Sequence, residues 1–265
     1  MITDPKDPRL ADYADLRDAT LRHAADSLFV AEGETVVRQL LASRYRTRSV
    51  LVTPVRLEAI QNALKPGVEV LVATPEVIEA AAGFAFHRGV MAVGERGTPQ
   101  DPFALAGQAT ALVIAEDLTN VDNLGSLFRC VSALAPAGTG VLLSPRCCDP
   151  FYRKAIRVSM GHVLNVPWAR FAPNDAGWTA DLTRLRERDW RIVALASGGE
   201  FELRELPVTS RATALLVGSE GPGLSGAALA AADIRVRIDM RPGVDSLNVV
   251  IAAAIAMREA LSPSE

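Results

Sequence analysis

Five short segments between residues 109 and 239 are mostly apolar on both faces, and helical sequence lies between them. A strand without a polar face is buried on both sides, which is typical of a parallel sheet covered by helices. The alternation therefore predicts an α/β domain with a parallel sheet over residues 109–265. The five predicted strands are 111–116, 140–144, 190–196, 213–218 and 234–239.

The first hundred residues show the same alternation on a smaller scale. A polar helix is expected at 8–29, and helical segments separate the strand patterns that follow it. The predicted strands are 49–53, 68–73 and 90–95, and Phe29 and Val30 are expected to end a short strand. Helical spacing is shown within 35–43 by Val36, Val37, Leu40 and Leu41. Two prolines and two glycines then occur within eleven residues, which indicates a linker. We expect a smaller α/β domain at 1–96 and a linker at 97–108.

Composition limits the possible functions without choosing one. The formal net charge of −3 counts against a non-specific nucleic-acid binder, although a local basic surface remains possible. Three cysteines, two of them adjacent, form neither a disulfide framework nor a zinc motif. The N-terminus lacks the apolar core of a signal peptide, and no apolar run reaches the ~20 residues that span a bilayer. We expect a cytoplasmic protein with no metal and no membrane contact.

A loop and a strongly apolar helix close the chain, at residues 240–260. Pro242 and Gly243 break regular structure, and Asp245 and Ser246 are expected to cap the helix. An apolar helix is buried on most sides. At its N-terminus, the first backbone N–H groups have no partner within the helix. The segment 246–248 is then either a ligand site or only the start of a core helix.

A glycine-rich loop follows the strand predicted at 213–218. Its Gly-x-Gly-x-x-Gly spacing at 221–226 is that of a dinucleotide fingerprint, but Glu220 would repel a pyrophosphate and the next helix is short. A phosphate-binding P-loop is excluded because Leu224 occupies the place of its lysine. The alternative is a glycine-rich turn into a helix.

Several basic residues lie near predicted strand ends. Arg129 is on a predicted helix that Asn123 is expected to cap, and it is either a cation facing a cleft at the sheet edge or part of a surface ion pair. Three further basic segments could contact an RNA backbone or could be solvated surfaces. They are Arg44 to Arg48, His87 to Gly89, and Tyr152 to Arg157.

Three segments together resemble the motifs of the SpoU/TrmH RNA 2′-O-ribose methyltransferases of the SPOUT superfamily. They are NLGSLFR at 123–129, LLVGSEGPGLS at 215–225 and IDMRPGVDSLNVVIAAAIA at 238–256. RKAIRVSMGH fits the segment between the first two motifs, and FVAEGETVVRQLL and FHRGVMAV resemble the family's N-terminal RNA-binding substrate domain. The resemblance extends over nearly all of the chain from Leu16 onwards.

The resemblance implies a SPOUT domain with a deep trefoil knot, S-adenosyl-L-methionine as methyl donor, and a homodimer whose interface lies beside the site. By motif match, Gly218, Ile238 and Leu247 would hold the cofactor, largely through backbone groups. Asn123 and Glu220 would orient the site loops and Arg129, and Ser246 and Asn248 would position ribose or cofactor.

The resemblance places Arg129 at the reacting hydroxyl. A guanidinium stays protonated in proteins, so stabilisation of the developing alkoxide suits it better than proton abstraction, although both roles are left open. The implied substrate is ribosomal RNA rather than transfer RNA. Transfer RNA, a NAD-type dinucleotide enzyme and a non-catalytic RNA-binding protein remain the alternatives.

Overall fold

The computed structural model of the chain describes residues 1–14, 16, 27–173, 177–207, 209–244 and 246–261. These residues form two compact units. The first comprises residues 1–98 and 149–165, and the second comprises 99–148 and 166–265. The first unit thus includes a segment, 149–165, that lies inside the predicted C-terminal domain.

The first unit is built on a four-stranded mixed sheet. Its strands are β1 (Leu28–Glu32), β2 (Thr47–Val52), β3 (Glu69–Val72) and β4 (Val90–Glu95), in the order β1-β4-β2-β3. β4 pairs antiparallel with β1 and β2, whereas β2 and β3 are parallel. The three predicted strands are present, and β1 extends the strand end predicted at Phe29 and Val30.

Three helices connect these strands, and a fourth comes from residues 149–165. They are α1 (Glu34–Ala42), α2 (Pro54–Gln61), α3 (Pro75–Ala82) and α6 (Arg153–Val158). α1 buries Val36, Val37, Leu40 and Leu41, the apolar stripe that its sequence spacing predicted. Within the predicted helix 8–29, Pro8–Tyr13 form a 3₁₀ helix, and residues 15 and 17–26 lie outside the described residues.

Aromatic, ionic and hydrogen-bonding contacts join residues 149–165 to the rest of the first unit. The ring of Phe151 stacks on that of Phe29 with centroids 4.7 Å apart. Arg153 of α6 pairs with the buried carboxylate of Glu32. Asn165 Nδ2 donates to Gln39 Oε1 at 2.6 Å.

The second unit contains a seven-stranded parallel sheet, which confirms the predicted α/β architecture. The strand order is β7-β6-β5-β10-β8-β11-β9. The strands are β5 (Leu112–Ala115), β6 (Gly140–Leu143), β7 (Trp168–Arg170), β8 (Arg191–Leu195), β9 (Phe201–Glu202), β10 (Thr213–Val217) and β11 (Ile234–Arg237). β7 and β9, at the two edges, were not predicted. Every residue of β5 and β6 is buried, as strands apolar on both faces should be.

The described residues of the second unit form five α-helices. They are α4 (Pro102–Ala106), α5 (Val121–Leu134), α7 (Thr179–Arg186), α8 (Gly226–Ala231) and α9 (Val249–Ala260). α4 lies within the segment predicted as a linker, and Asp101 caps it by accepting hydrogen bonds from two backbone N–H groups. α5 and α9 pack against each other. The trefoil knot stays a prediction.

Candidate active site

A cavity of about 650 Å³ lies at the carboxyl edge of the parallel sheet in the second unit. Ligand sites of open α/β sheets are found at this edge. Its walls come from the ends of β8, β10 and β11 and from the start of α9, which are segments far apart in sequence. The wall segments are 195–198, 217–224 and 246–249, together with Leu229, Arg235, Ile238, Met240 and Ala252.

The glycine-rich loop after β10 forms one wall of the cavity, and its backbone folds back on itself. A Cβ at Gly218 would lie 2.4 Å from the carbonyl carbon of Gly223, so any larger residue would clash with backbone. Gly221 and Gly223 have positive φ angles of 85° and 69°, which favour glycine. The three glycines therefore fix a tight turn at the cavity wall.

Residues from the three motif segments meet at the rim of the cavity. Asn248 Nδ2 donates a hydrogen bond to Asn123 Oδ1 at 3.2 Å and a second, short one to Glu220 Oε1. Asn123 is buried, whereas Asn248 and Glu220 are exposed on the cavity side. This Asn123–Asn248–Glu220 network links α5, the glycine loop and the start of α9.

Most of the site residues named from the sequence lie at this cavity. Six of them line it: Gly218, Glu220, Ile238, Ser246, Leu247 and Asn248. Asn123 does not line the cavity but reaches it through Asn248. Arg129 lies on α5 with an exposed side chain, outside the set of lining residues. Its place at the reacting hydroxyl stays a prediction.

The structure corrects two predicted helix caps. Asn248 caps α9, because its Oδ1 accepts from Val250 N at 2.9 Å, and Asn248 follows Ser246 by two residues. Asp245 lies outside the described residues. Asn120 caps α5 by accepting from the N–H groups of Asp122 and Asn123, so Asn123 is inside the helix and its side chain is free to bind Asn248.

Glu116 is a residue of this region that sequence analysis did not identify. It follows β5, is 2% exposed, and accepts hydrogen bonds from Ser225 N and Ser225 Oγ, both at 2.7 Å. Trp178 Nε1 also donates to it, at 3.2 Å. A buried carboxylate with three donors holds the end of the glycine loop against β5. A carboxylate placed directly after a buried strand was the signal that could have revealed it.

Asp117, which follows β5, and Cys130, on α5, have pKa values shifted from the ordinary ones. Burial opposes ionisation of Asp117, but hydrogen bonds from Arg146 and Ser144 outweigh it and lower the pKa of this carboxyl. Burial raises the pKa of the Cys130 thiol, although the positive charge of Arg129 acts in the opposite direction.

Within the described part of the chain there is no cluster of His, Cys, Asp and Glu suited to a metal ion. Nor do the described helices include one long and apolar enough to cross a membrane.

The segment that builds this cavity matches a known protein family. Residues 110–258 match the model of the SpoU rRNA methylase family, and this range includes all three motif segments. The chain belongs to the SpoU rRNA methylase family. The match confirms the family predicted from the motifs, and with it the activity of an RNA methyltransferase.

Relatives and solved structures extend the similarity to almost the whole chain. An uncharacterized tRNA/rRNA methyltransferase of Mycobacterium bovis is 38% identical, covering 97% of this chain and 90% of the relative. The structure of an S-adenosylmethionine-bound rRNA methyltransferase from Sinorhizobium meliloti has a TM-score of 0.79 at 25% identity, covering 98% and 96% of the two chains. An RNA 2′-O ribose methyltransferase shares the fold with a TM-score of 0.76 at 24% identity, covering 98% and 97%.

Proposed function

We propose that this member of the family transfers a methyl group from S-adenosylmethionine to a ribose 2′-hydroxyl, and that its substrate is ribosomal RNA. The observation that carries the proposal is the Asn123–Asn248–Glu220 network at the cavity rim. The same three segments that resemble the 2′-O-ribose methyltransferases are thereby joined at one cavity.

The cavity suits a nucleoside-based methyl donor. Its volume of about 650 Å³ falls within the range of ~300–1,000 Å³ that drug-sized ligands occupy. The wall combines apolar side chains such as Val217 and Ile238 with the exposed backbone of the glycine loop. Main-chain N–H and C=O groups can hydrogen-bond an adenine edge, and the relative from Sinorhizobium meliloti binds S-adenosylmethionine.

Some residues of the site would bind the methyl donor, and others would position or act on the ribose. When bound, S-adenosylmethionine supplies a methyl group on a sulfonium centre. Gly218, Ile238 and Leu247 would hold the donor through their backbone, and Ser246 and Asn248 would position the ribose or the donor. Alignment of two reactants is a large part of such catalysis, and it requires fixed walls.

Arg129 is the residue we propose to act on the ribose. Its side chain is exposed on α5, the helix that also carries Asn123, so an RNA backbone can reach it. Because a guanidinium remains protonated, it would stabilise the developing negative charge on the 2′-oxygen, whose proton passes to solvent water, and it would contact the adjoining phosphate. Asn123 and Glu220 would orient the loops around it.

A transfer assay with labelled methyl groups tests this function. Arg129→Ala should reduce methyl transfer to RNA by at least about 100-fold, the usual effect of removing one transition-state donor. Its affinity for S-adenosylmethionine, measured by calorimetry, should stay near that of the unchanged protein. Arg204→Ala is the matched control, because Arg204 is an exposed arginine of the same unit.

Two results of this assay would count against the proposal. Undiminished transfer by Arg129→Ala would remove Arg129 from the mechanism, and absence of transfer by the unchanged protein would indicate a non-catalytic RNA binder. Ribosomal and transfer RNA are assayed in parallel, because the Mycobacterium relative is named for both classes.

We further propose a homodimer and a knotted C-terminal segment. Ile251 and Ile255 lie one turn apart on α9 and are 55% and 39% exposed, on a helix that begins at the cavity. Large apolar side chains exposed side by side favour a protein contact. A second copy would cover them beside the site, and the family resemblance supports both the dimer and the knot.

A further inference from the structure

The first unit carries a cluster of guanidinium groups around one buried carboxylate. Glu32, at the end of β1, has a side chain only 6% exposed. Arg153 Nη1 lies 2.8 Å from its Oε2 and makes the close ion pair. Arg157 Nη1 and Arg88 Nε lie 3.8 and 3.7 Å from the carboxylate, which is beyond hydrogen-bonding distance.

A second carboxylate extends this cluster along α1. Glu34 Oε1 lies 3.1 Å from Arg38 Nε, and Glu34 Oε2 lies 3.8 Å from Arg56 Nη1. We call Arg38, Arg56, Arg88, Arg153 and Arg157 the arginine cluster. Five guanidiniums against the two carboxylates leave a formal excess of three positive charges, on a chain whose net charge is −3.

Two glycines let the arginine side chains lie flat against the backbone. A Cβ on Gly33 would lie 3.2 Å from Arg88 Cδ, and one on Gly89 would lie 2.6 Å from Arg56 Cγ. Both glycines have positive φ angles, which disfavour larger residues in any case. Arg153 is held further by Phe84, whose ring centroid lies 4.3 Å from its guanidinium carbon. The cluster is therefore held in place before any partner binds.

The outer arginines keep donors for another acceptor. Arg56, Arg88 and Arg157 are 52%, 47% and 36% exposed, and their ion pairs are the three long ones. A guanidinium presents five N–H donors in a planar fork that matches a phosphate. Several exposed guanidinium groups in fixed orientations, with an excess of positive charge, are suited to an extended chain of phosphates rather than to one small anion.

We propose that the arginine cluster is the surface on which the first unit binds the sugar–phosphate backbone of the substrate RNA. The proposal deepens the function proposed above and rests on it for the class of partner. It assigns the cluster, rather than the alternating Arg44, Arg46 and Arg48, as the RNA contact of this unit. Arg46 and Arg48 make close pairs with Glu95 and Asp12, at 3.0 and 3.1 Å, whereas the pairs of the outer cluster arginines are 3.7–3.8 Å long.

Salt-dependent binding of a fluorescent hairpin RNA, followed by anisotropy with the full chain, tests the proposal. The triple variant Arg56→Gln/Arg88→Gln/Arg157→Gln leaves the close Arg153–Glu32 pair intact. The control, Arg9→Gln/Arg186→Gln/Arg204→Gln, removes the same charge from arginines paired elsewhere. Each lost phosphate contact lowers the slope of log affinity against log salt by about 0.7–0.9.

We expect the triple variant to bind at least about tenfold more weakly at low salt, with a slope shallower by about 2 to 3. Thermal unfolding and S-adenosylmethionine binding should match those of the control. Equal affinity and slope in the two triple variants would overturn the proposal, as would binding of an acidic polypeptide in preference to RNA. Neither result would affect methyl transfer by the unchanged protein, which tests the proposed function separately.

Discussion

Asn248 is the residue on which the rim of the cavity depends. Its oxygen caps α9, and its amide nitrogen donates to both Asn123 and Glu220. One side chain thus fixes a helix start and joins it to two other segments. Asparagine suits the position because it carries an acceptor and two donors on one planar group.

Asn248→Asp separates these two roles. The aspartate keeps the cap oxygen but loses the donors and places a second negative charge beside Glu220. We expect thermal stability close to that of the unchanged protein and a clear loss of methyl transfer. Asn248→Ala should lose the cap as well and be destabilised by about 1 kcal/mol. Equal transfer by Asn248→Asp and the unchanged protein would show that the network has no part in the reaction.

Asp117, the second residue after β5, offers a pH-dependent test of stability. Its backbone φ is 54°, which asparagine tolerates, so Asp117→Asn should keep the conformation while losing the charge paired with Arg146. Because the pKa of Asp117 is lowered on folding, its ionised form stabilises the fold above the ordinary value of 3.8. That stabilisation is lost as the pH falls through the lower, folded-state value.

We therefore expect the unchanged protein to exceed Asp117→Asn in unfolding free energy at pH 7. The difference should be on the order of 1 kcal/mol, and it should shrink as the pH falls from 5 towards 3. Urea unfolding at several pH values measures both quantities. A difference that is constant over this range would mean that the Asp117 carboxylate does not stabilise the fold.

At the scale of elements, the glycine loop between β10 and α8 sets the shape of the cavity wall. Gly218 lies against the backbone of residues 223 and 224, whereas a Cβ on Gly226 would meet no atom within 4 Å. The loop is held at its far end by Glu116, through Ser225. Position 226 can therefore accept a side chain, whereas position 218 cannot.

Gly218→Ala should consequently push the loop away from its observed path and weaken S-adenosylmethionine binding at least about tenfold. Gly226→Ala, in the first turn of α8, should bind normally, since alanine favours a helix. Calorimetric titration of both variants makes the comparison. Normal binding by Gly218→Ala would mean that the loop does not contact the donor.

The sequence predicted the centres of the elements well and their ends less well. Strands such as β5 and β10 were recognised because burial on both faces makes their residues apolar, with Thr213 at the start of β10 as the exception. The edge strands β7 and β9 have two or three residues, too few for a pattern. The caps of α5 and α9 were misplaced, because several polar residues precede each helix and only the fold decides which one turns inward.

At the scale of the whole molecule, contacts between residues far apart in the chain determine features of the fold that local sequence patterns do not predict. The motif segments were predicted to converge, and Asn123, Glu220 and Asn248 do meet. That residues 149–165 group with the first unit depends on Phe151 and Arg153, whose partners are more than a hundred residues earlier. Such pairing leaves no trace in composition or periodicity.

The proposed homodimer can be tested at the exposed face of α9. Ile251→Glu/Ile255→Glu places two like charges where a second copy would pack, so we expect a dimer that dissociates to a monomer in sedimentation. Val55→Glu is the control, since Val55 is an apolar residue 87% exposed on α2. A monomeric unchanged protein, or a double variant that remains dimeric, would contradict this assignment.

The position of the transferred methyl group in the product shows whether this protein acts on a ribose 2′-hydroxyl. The purified protein is incubated with methyl-labelled S-adenosylmethionine and with ribosomal RNA from cells that lack it. The RNA is then digested to nucleosides and analysed by mass spectrometry. We expect the label in a 2′-O-methylated nucleoside. Label on a base, or no label in RNA although the donor binds the cavity, would contradict it.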